Sequence, residues 1–250
     1  MSFHIERRGT GVPLVLLHGW GFHSGIWTGV SEGLYQNFEI YAVDLPGCGL
    51  SPLSSYQFDD LIPSLLAHLP EQFYLLGWSL GGMIAMQMAL LAPKRVLKLI
   101  SVASSPCFVA ELSWPGMSPQ VLNNFALRLQ DNSVKTLSEF LLLQSGQGEQ
   151  GRLMYKRLLP GLKRSQPHPE ALSSGLSVLK NQDLRADIER LESPTLFLYG
   201  ALDSIVPQSV ALEVKALLPS SEYTVFKKSA HAPFLTHQDL FIERLRDFLS

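Results

Sequence analysis

The sequence predicts an α/β fold with a mostly parallel central sheet flanked by helices, and three observations support this prediction. Short continuous apolar segments recur along the chain, as is typical of strands covered on both faces. Stretches rich in leucine, alanine and methionine at helical spacing separate these segments. The alternation indicates right-handed crossover connections, and it stops once, in the middle of the chain, where helical patterns follow one another.

Six apolar segments are predicted as strands of one sheet. They cover residues 14–17, 38–43, 73–76, 96–102, 195–199 and 223–226. Four further stretches are predicted as helices, and they cover residues 59–69, 80–91, 208–218 and 240–249. Pro63 is expected in the first turn of the first helix, because the missing N–H of proline is tolerated there.

The middle of the chain is predicted to hold four consecutive helices. Ser118 and Asn132 are residue types that cap helix N-termini, so helices are expected to begin directly after them. A third helix is expected over residues 150–159, ending at Pro160, and a fourth begins near Pro169. Together they predict a helical cap or lid over the sheet.

The length and composition fit one large domain with an insertion. The 250 residues are 46% hydrophobic and 17% charged, with a formal net charge of -2. We expect residues 1–108 and 182–250 to form the α/β core, and residues 109–181 to form the inserted lid. This charge gives no reason to expect a nucleic-acid partner.

The two cysteines, Cys48 and Cys107, are too few for a disulfide scaffold. We expect both to be reduced thiols of a cytoplasmic, monomeric protein. The N-terminus lacks the apolar stretch of a secretory signal. No run of about 18 apolar residues predicts a membrane span.

The segment Gly77-Trp78-Ser79-Leu80-Gly81 fits the pattern G-x-S-x-G. The pattern also arises by chance, but here it follows a predicted strand and precedes a predicted helix, the context of a nucleophile elbow. The glycines allow neighbouring backbone to pack closely, so that the hydroxyl of Ser79 projects from a sharp turn. Ser79 is therefore the predicted nucleophile of a serine hydrolase.

The base that activates this serine should be a histidine beyond the last predicted strand. Only His231 and His237 lie there among the seven histidines. His231 sits in a loop before the final helix, where Pro233 and Phe234 would fix the loop and shield the imidazole. His237 lies where that helix is expected to start, and we interpret it as an exposed helical residue.

The acid that orients the histidine should follow the preceding strand. Asp203 lies just beyond residues 195–199, at the carboxyl end where ligands bind in parallel sheets. A turn-forming aspartate is the alternative interpretation. Asp183 and Asp187 are weaker candidates because they precede the strand. The chain order Ser79, Asp203, His231 favours a catalytic triad.

The oxyanion hole is predicted from two backbone N–H groups. One belongs to Leu80, the residue after the nucleophile, and the other to Trp20, in the glycine-rich turn after the first predicted strand. His18, in the same turn, is interpreted as a brace that packs inward rather than as a base. Asp44, at another strand end, is interpreted as a turn brace.

The chain resembles the α/β-hydrolase family over its whole length, and six segments carry the resemblance. They are residues 16–21, 44–49, 77–82, 102–108, 114–116 and 230–234. The segment 103–108 together with Trp114-Pro115-Gly116 is the more specific part, and it is similar to a group of carboxylesterases of biotin synthesis. That group cleaves the methyl ester of pimeloyl-acyl carrier protein, with no metal or organic cofactor.

The resemblance implies roles for individual residues. It implies Ser79, Asp203 and His231 as nucleophile, acid and base. The substrate contacts that it implies are Trp20, Ser79, Leu80, Phe140, Leu141, Leu142, Leu143, Gln144 and His231. Taken without the resemblance, Phe140 and Leu143 fit core packing of the lid equally well.

The resemblance also implies an acidic carrier protein as a transient partner. The lid positions that would face it hold Lys135, Arg152 and Lys156, whereas Glu139 departs from the basic pattern. Residues 150–164 include several basic side chains, which could steer an acidic partner. A solvated lid face is the other interpretation of the same charges.

Three other functions stay open at this point. The chain could be a hydrolase of short esters or thioesters that needs no carrier protein. It could be a C–C hydrolase or a lyase on the same scaffold. It could also be a non-catalytic ligand receptor, although an intact set of Ser79, Asp203 and His231 argues against that.

Overall fold

The computed structural model describes residues 1–146, 148–164 and 166–250, without the side chains at 149, 150, 153 and 160–164. Within these ranges seven strands form one sheet, in the order β1-β3-β2-β4-β5-β6-β7. The strands are β1 Ile5–Arg8, β2 Val12–Leu17, β3 Phe38–Val43, β4 Phe73–Trp78, β5 Val96–Val102, β6 Thr195–Gly200 and β7 Glu222–Phe226. Every neighbouring pair is parallel except β1 with β3, which is antiparallel.

Helices cover the sheet and fill the chain between β5 and β6. They are α1 Thr28–Leu34, α2 Phe58–His68, α3 Leu80–Leu91, α4 Pro119–Asp131, α5 Ser133–Ser145, α6 Gly148–Arg164, α7 Pro169–Asn181, α8 Val210–Leu217, α9 Pro233–Thr236 and α10 Gln238–Leu249. Two short 3-10 helices, Ser24–Trp27 and Ile188–Arg190, complete the described elements. No helix in the described ranges has both the length and the hydropathy that crossing a bilayer requires.

The predicted α/β fold with a mostly parallel sheet is confirmed. Each of the six predicted strands is present, and all of them except the edge strand β7 are largely buried. β1 has no counterpart among the predicted strands, because Glu6, Arg7 and Arg8 give it a charged, exposed surface. Such charges are common on edge strands, where they discourage pairing with another chain.

Two helix predictions are wrong in detail. Pro63 is the sixth residue of α2 rather than part of its first turn. Pro63 is exposed, and so is Asp59, the residue whose carbonyl loses its intrahelical donor. α6 continues through Pro160 to Arg164, because Met154 and Leu158 are buried on its inner face and this packing outweighs the local break signal.

The helices α4 to α7 form the segment that the sequence assigns to a lid. Asn132 caps α5 as predicted, because its side chain accepts a hydrogen bond from the N–H of Lys135. Ser118 precedes α4, but its hydroxyl donates to Gln120 instead of capping the helix. The boundaries at residues 109 and 181 stay a prediction.

Both cysteines are buried free thiols, in agreement with the sequence. Burial raises the pKa of the Cys48 thiol to about 12. The Cys107 thiol also has a raised pKa because of burial. Neither sulfur therefore ionises near neutral pH, and both act as small core groups.

The loops after β2 and β3 are held together by two buried side chains. His18 lies with Nδ1 2.8 Å from the carbonyl oxygen of Gly19, and its Nε2 accepts a 2.9 Å hydrogen bond from the N–H of Leu45. Asp44 accepts hydrogen bonds from the N–H groups of Ser24 and Leu50, at 2.6 and 2.9 Å. The interpretation of His18 and Asp44 as structural braces is confirmed.

The brace formed by His18 predicts a pH-dependent stability. Burial lowers the pKa of His18 from 6.5 to about 4, against the opposing effects of the Gly19 carbonyl and the Asp44 charge. The unfolded chain therefore binds more protons than the folded one between these values, and the free energy of unfolding rises with pH in that window. This contribution is complete above about pH 6.5 and is lost towards pH 4, a change of about 3 kcal/mol.

Urea unfolding of the wild type and of His18→Gln at pH 7 and pH 4.5 checks this expectation. On acidification the wild type should lose about 2–3 kcal/mol more than the variant loses. Parallel losses in the two proteins would contradict the assignment of this titration to His18.

Candidate active site

Ser79 lies at a strained turn between β4 and α3. Its backbone has φ 55° and ψ -119°, a left-handed conformation that a side chain bearing a Cβ rarely adopts. Hydrogen bonds of its own backbone hold it there. The Ser79 N–H donates to Val102, and the Ser79 carbonyl accepts from the N–H of Gly82 and the hydroxyl of Ser104, at 2.9, 2.9 and 2.7 Å.

The two glycines of the motif are required by close backbone contacts. A Cβ at Gly77 would lie 2.2 Å from the carbonyl oxygen of Gly81, and a Cβ at Gly81 would lie 2.4 Å from that of Leu17. Neither distance is compatible with any larger residue. The nucleophile elbow therefore packs directly on the end of β2, and the sequence interpretation of these glycines is confirmed.

Asp203 and His231 form a buried pair. His231 Nδ1 lies 2.7 Å from Asp203 Oδ2, and both side chains are fully shielded from solvent. The other oxygen of Asp203 accepts hydrogen bonds from the N–H groups of Ile205 and Val206, at 2.8 and 3.1 Å. The carboxylate is therefore fixed by its own loop and presents one oxygen to the imidazole.

The loop that carries His231 is fixed by an aromatic contact and by close backbone packing. Trp78 Nε1 donates a 2.7 Å hydrogen bond to the carbonyl oxygen of His231, and the ring of Phe234 packs edge-on against Trp78. A Cβ at Gly200 would lie 1.9 Å from the carbonyl oxygen of Ala230. The end of β6 and the histidine loop are therefore in direct contact.

The two atoms that would exchange a proton are both buried and without a hydrogen-bond partner among the described residues. They are Ser79 Oγ and His231 Nε2. Buried polar atoms are normally paired, and those that are not concentrate at functional sites. The arrangement is suited to a substrate that completes the hydrogen bonding, since apo geometries tighten when the substrate binds.

Both predicted oxyanion donors lie beside Ser79. Leu80 is the first residue of α3, so its N–H has no intrahelical acceptor and lies at the positive end of the helix dipole. A Cβ at Gly19 would lie 3.2 Å from the Cβ of Ser79, which brings the adjoining backbone of Trp20 against Ser79. No described residue accepts a hydrogen bond from the Trp20 N–H. The assignment of both donors stays a prediction.

The side chain of Trp20 is covered by α5 and α7. Its indole N–H donates a 2.8 Å hydrogen bond to the carbonyl oxygen of Leu172, and its ring lies 4.7 Å from the ring of Phe140 in an edge-to-face contact. A Cβ at Gly175 would lie 2.8 Å from the Trp20 ring and 3.1 Å from the Leu80 side chain. These two helices therefore cover the turn that carries Trp20.

The five predicted substrate residues of α5 have different surroundings. Phe140, Leu141 and Gln144 are buried, and Leu143 is half-buried. Leu142 is 56% exposed and is not brought together with the other four. Its separation follows from helical geometry, because it lies on the outer side of α5.

The basic residues implied for carrier binding lie on the outer surface of the helical segment. Lys135, Arg152 and Lys156 are all exposed. Glu139 forms a 2.7 Å ion pair with Arg128, so its charge is largely compensated by a neighbour on α4. The contribution of these residues to carrier binding stays a prediction.

Residues 150–164 contain three further basic residues. Arg157 is exposed, and its guanidinium donates to the carbonyl oxygen of Leu235 in α9. The side chains of Lys163 and Arg164 lie outside the described residues.

The alternative acids and base lie elsewhere. Asp183 pairs with Arg185 at 2.6 Å, and this hydrogen bond lowers the pKa of Asp183. Asp187 pairs with Arg190 at 2.8 Å. His237 directly precedes α10 but is half-buried instead of exposed, because its ring packs against an aromatic ring of β7.

Three residues that shape the site were not predicted from the sequence pattern. Trp78 occupies a variable position of the G-x-S-x-G motif, although its indole holds the histidine loop. Ser104 follows β5 and holds the carbonyl of Ser79, and Gly175 lies inside α7. An isolated glycine within a helix is the one local hint of close packing among the three.

Comparisons with known proteins agree with this architecture. A family model described as alpha/beta hydrolase fold matches residues 12–238. The pimeloyl-[acyl-carrier protein] methyl ester esterase of Aeromonas hydrophila subsp. hydrophila is 42% identical over 253 residues, which cover 100% of both chains. The protein of the same name from Legionella pneumophila (strain Corby) is 38% identical over 249 residues, again covering 100% of both chains.

A solved structure gives the same fold. The esterase EaEST from Exiguobacterium antarcticum matches with a TM-score of 0.87 and 22% identity, covering 98% of this chain and 94% of that chain. This likeness concerns the fold alone. With the family model matched over most of the chain and full-length relatives at about 40% identity, the chain belongs to the α/β-hydrolase family.

Proposed function

We propose that the chain is a serine carboxylesterase that hydrolyses the methyl ester of pimeloyl-acyl carrier protein in biotin synthesis. The observation that carries the chemistry is the buried His231–Asp203 pair, which the indole of Trp78 ties to the strained turn at Ser79, with Ser79 Oγ and His231 Nε2 unpartnered among the described residues. The substrate comes from the full-length relatives, which bear the name of that esterase. The buried free thiols fit a cytoplasmic protein, and a monomer is the expected state.

In the first half of the reaction, Ser79 Oγ attacks the ester carbonyl carbon while His231 Nε2 takes its proton. Asp203 holds the imidazole in the required tautomer and stabilises the imidazolium that forms. The N–H groups of Trp20 and Leu80 donate to the oxyanion, and each such donor contributes about 2.7–4 kcal/mol of transition-state stabilisation. Methanol leaves with the proton from His231.

In the second half, water attacks the acyl-enzyme with His231 as its general base. The tetrahedral intermediate collapses, the acid product leaves, and the proton returns to Ser79 Oγ. The same two oxyanion donors serve both halves. All these steps use side chains, backbone N–H groups and water.

We further propose that residues 109–181 act as a lid that shields this chemistry from solvent and holds the acyl chain. The buried aromatic contact between Trp20 and Phe140 supports an apolar wall next to Ser79. Apolar surroundings exclude water and strengthen the electrostatic interactions at the oxyanion. Lys135, Arg152 and Lys156, exposed on the outer surface of this segment, would receive the acidic carrier protein.

Removal of the nucleophile tests the proposed function. Hydrolysis of methyl pimeloyl-acyl carrier protein by Ser79→Ala should fall by at least about a thousandfold, because the covalent route is lost while the oxyanion hole remains. Mass spectrometry of the carrier protein measures loss of the methyl group. In a biotin-requiring strain that lacks this esterase, the wild type should restore growth and Ser79→Ala should not. Full turnover by Ser79→Ala would refute the mechanism.

Substitution of the acid tests its orienting role. Asp203→Asn should lower kcat by about four orders of magnitude with a small change in KM, because the amide favours the wrong imidazole tautomer. Steady-state hydrolysis of p-nitrophenyl butyrate gives both constants. A loss below about tenfold would show that Asp203 does not orient the base.

Charge reversal tests the carrier surface. The double variant Arg152→Glu and Lys156→Glu should lower kcat/KM for the carrier-bound ester by about tenfold or more, because steering of an acidic partner is lost. Hydrolysis of p-nitrophenyl acetate should be unchanged. Lys94→Glu, an exposed lysine between α3 and β5, is the matched control and should affect neither substrate. If the double variant hydrolyses both substrates at the rates of the wild type, the result would favour an esterase of small esters that needs no carrier.

A further inference from the structure

The C-terminal end of α5 is attached to the loops that carry both the base and the acid. The carbonyl oxygen of Gln144 accepts a 3.3 Å hydrogen bond from the N–H of His231. The carbonyl oxygen of Leu143 accepts one from the hydroxyl of Ser204, next to Asp203, also at 3.3 Å. The last carbonyls of a helix lack intrahelical donors, so these bonds satisfy groups that would otherwise be unpaired.

The side chain of Gln144 lies on the face of α5 that covers the site. Leu137, Phe140 and Gln144 follow one another at spacings of three and four residues, so they share one helix face. Leu137 contacts the turn at Gly21, and Phe140 contacts Trp20, which places this face against the turn that carries Trp20 and Gly21. Gln144 is 1% exposed, and no described residue donates a hydrogen bond to its Oε1.

An unpaired amide oxygen in such a place is costly unless a ligand completes it. In the part of the chain that the structure describes, seven buried side-chain polar atoms share this condition, and besides Gln144 Oε1 they include the two atoms of the predicted proton transfer, Ser79 Oγ and His231 Nε2. Those two atoms react in the proposed mechanism. We propose that Gln144 Oε1 accepts a hydrogen bond from the water molecule that hydrolyses the acyl-enzyme, an inference that rests on the proposed function.

The chemistry of deacylation explains why an acceptor is needed there. The attacking water has two hydrogens, and His231 Nε2 removes one as the oxygen–carbon bond forms. The second hydrogen stays on the new hydroxyl and needs an acceptor inside a site that excludes solvent. Collapse of the intermediate breaks the bond to Ser79 Oγ, which regains the proton from His231, and the acid leaves with the second hydrogen. Gln144 orients the water and is unchanged at the end.

Methanol provides a discriminating nucleophile, because its oxygen bears only one hydrogen. That hydrogen goes to His231 in the reverse of acylation, so methanol makes no use of the Gln144 acceptor. The acceptor therefore favours water over the alcohol that the first half of the reaction releases.

The test measures how the acyl-enzyme divides between the two nucleophiles. The wild type, Gln144→Met, Gln144→Glu and Ser145→Ala react with p-nitrophenyl butyrate in the presence of methanol, and gas chromatography measures methyl butyrate and butyrate. In Gln144→Met the ratio of methyl butyrate to butyrate should rise by about tenfold, the effect of one lost hydrogen bond on the reaction with water. Gln144→Glu keeps an acceptor oxygen and should return the ratio towards that of the wild type.

Ser145→Ala is the matched control, because it removes the buried hydrogen bond from Ser145 to Leu141 at the same helix end. Its ratio should equal that of the wild type. An unchanged ratio in Gln144→Met overturns the inference even if turnover falls, because a displaced His231 slows both nucleophiles alike. The ratio does not depend on the fraction of folded enzyme. Turnover that survives Ser79→Ala would instead overturn the proposed function.

Discussion

The left-handed turn at Ser79 is the constraint on which the other groups of the site depend. The conformation is unfavourable for a residue with a Cβ, and it persists because the surrounding backbone leaves no alternative. Gly77 and Gly81 let that backbone approach to distances at which a methyl group cannot fit. The same compression brings the end of β2 against the turn, so the predicted oxyanion donors and Ser79 are positioned by one packing arrangement. The strain and the function therefore share a cause.

Hydrogen bonding decides what the two buried histidines near the site can do. His18 and His231 are both buried, but hydrogen bonds satisfy both ring nitrogens of His18, whereas His231 has one nitrogen on Asp203 and one without a partner among the described residues. The first histidine is thereby a brace, and the second keeps a free position for a proton. Two side chains of the same type thus differ in role because of their hydrogen bonds, not because of their exposure.

Much of the fold was predictable because its signals are local. Continuous apolar strands, the glycines of the elbow and the order of Ser79, Asp203 and His231 can all be read along the chain. β1 could not be predicted, because an antiparallel edge strand with three charged residues has no apolar pattern. The end of α6 was wrong because burial of its inner face overrides the break signal at Pro160. The bond from the indole of Trp78 to the histidine loop joins distant parts of the chain, and no sequence pattern records such a contact.

That indole bond has a mechanical consequence. Trp78 directly precedes Ser79, and its side chain holds the carbonyl of His231, which is 153 residues away along the chain. The loop that carries His231 is thus hydrogen-bonded to the end of β4, the strand that leads directly to Ser79. Because of this bond, a displacement of the end of β4 also displaces the His231 loop. The separation of Ser79 and His231 therefore depends on this direct contact and not on the conformation of the intervening chain. A large helical insertion between them can therefore vary in length or shape while the alignment of the proton transfer is preserved.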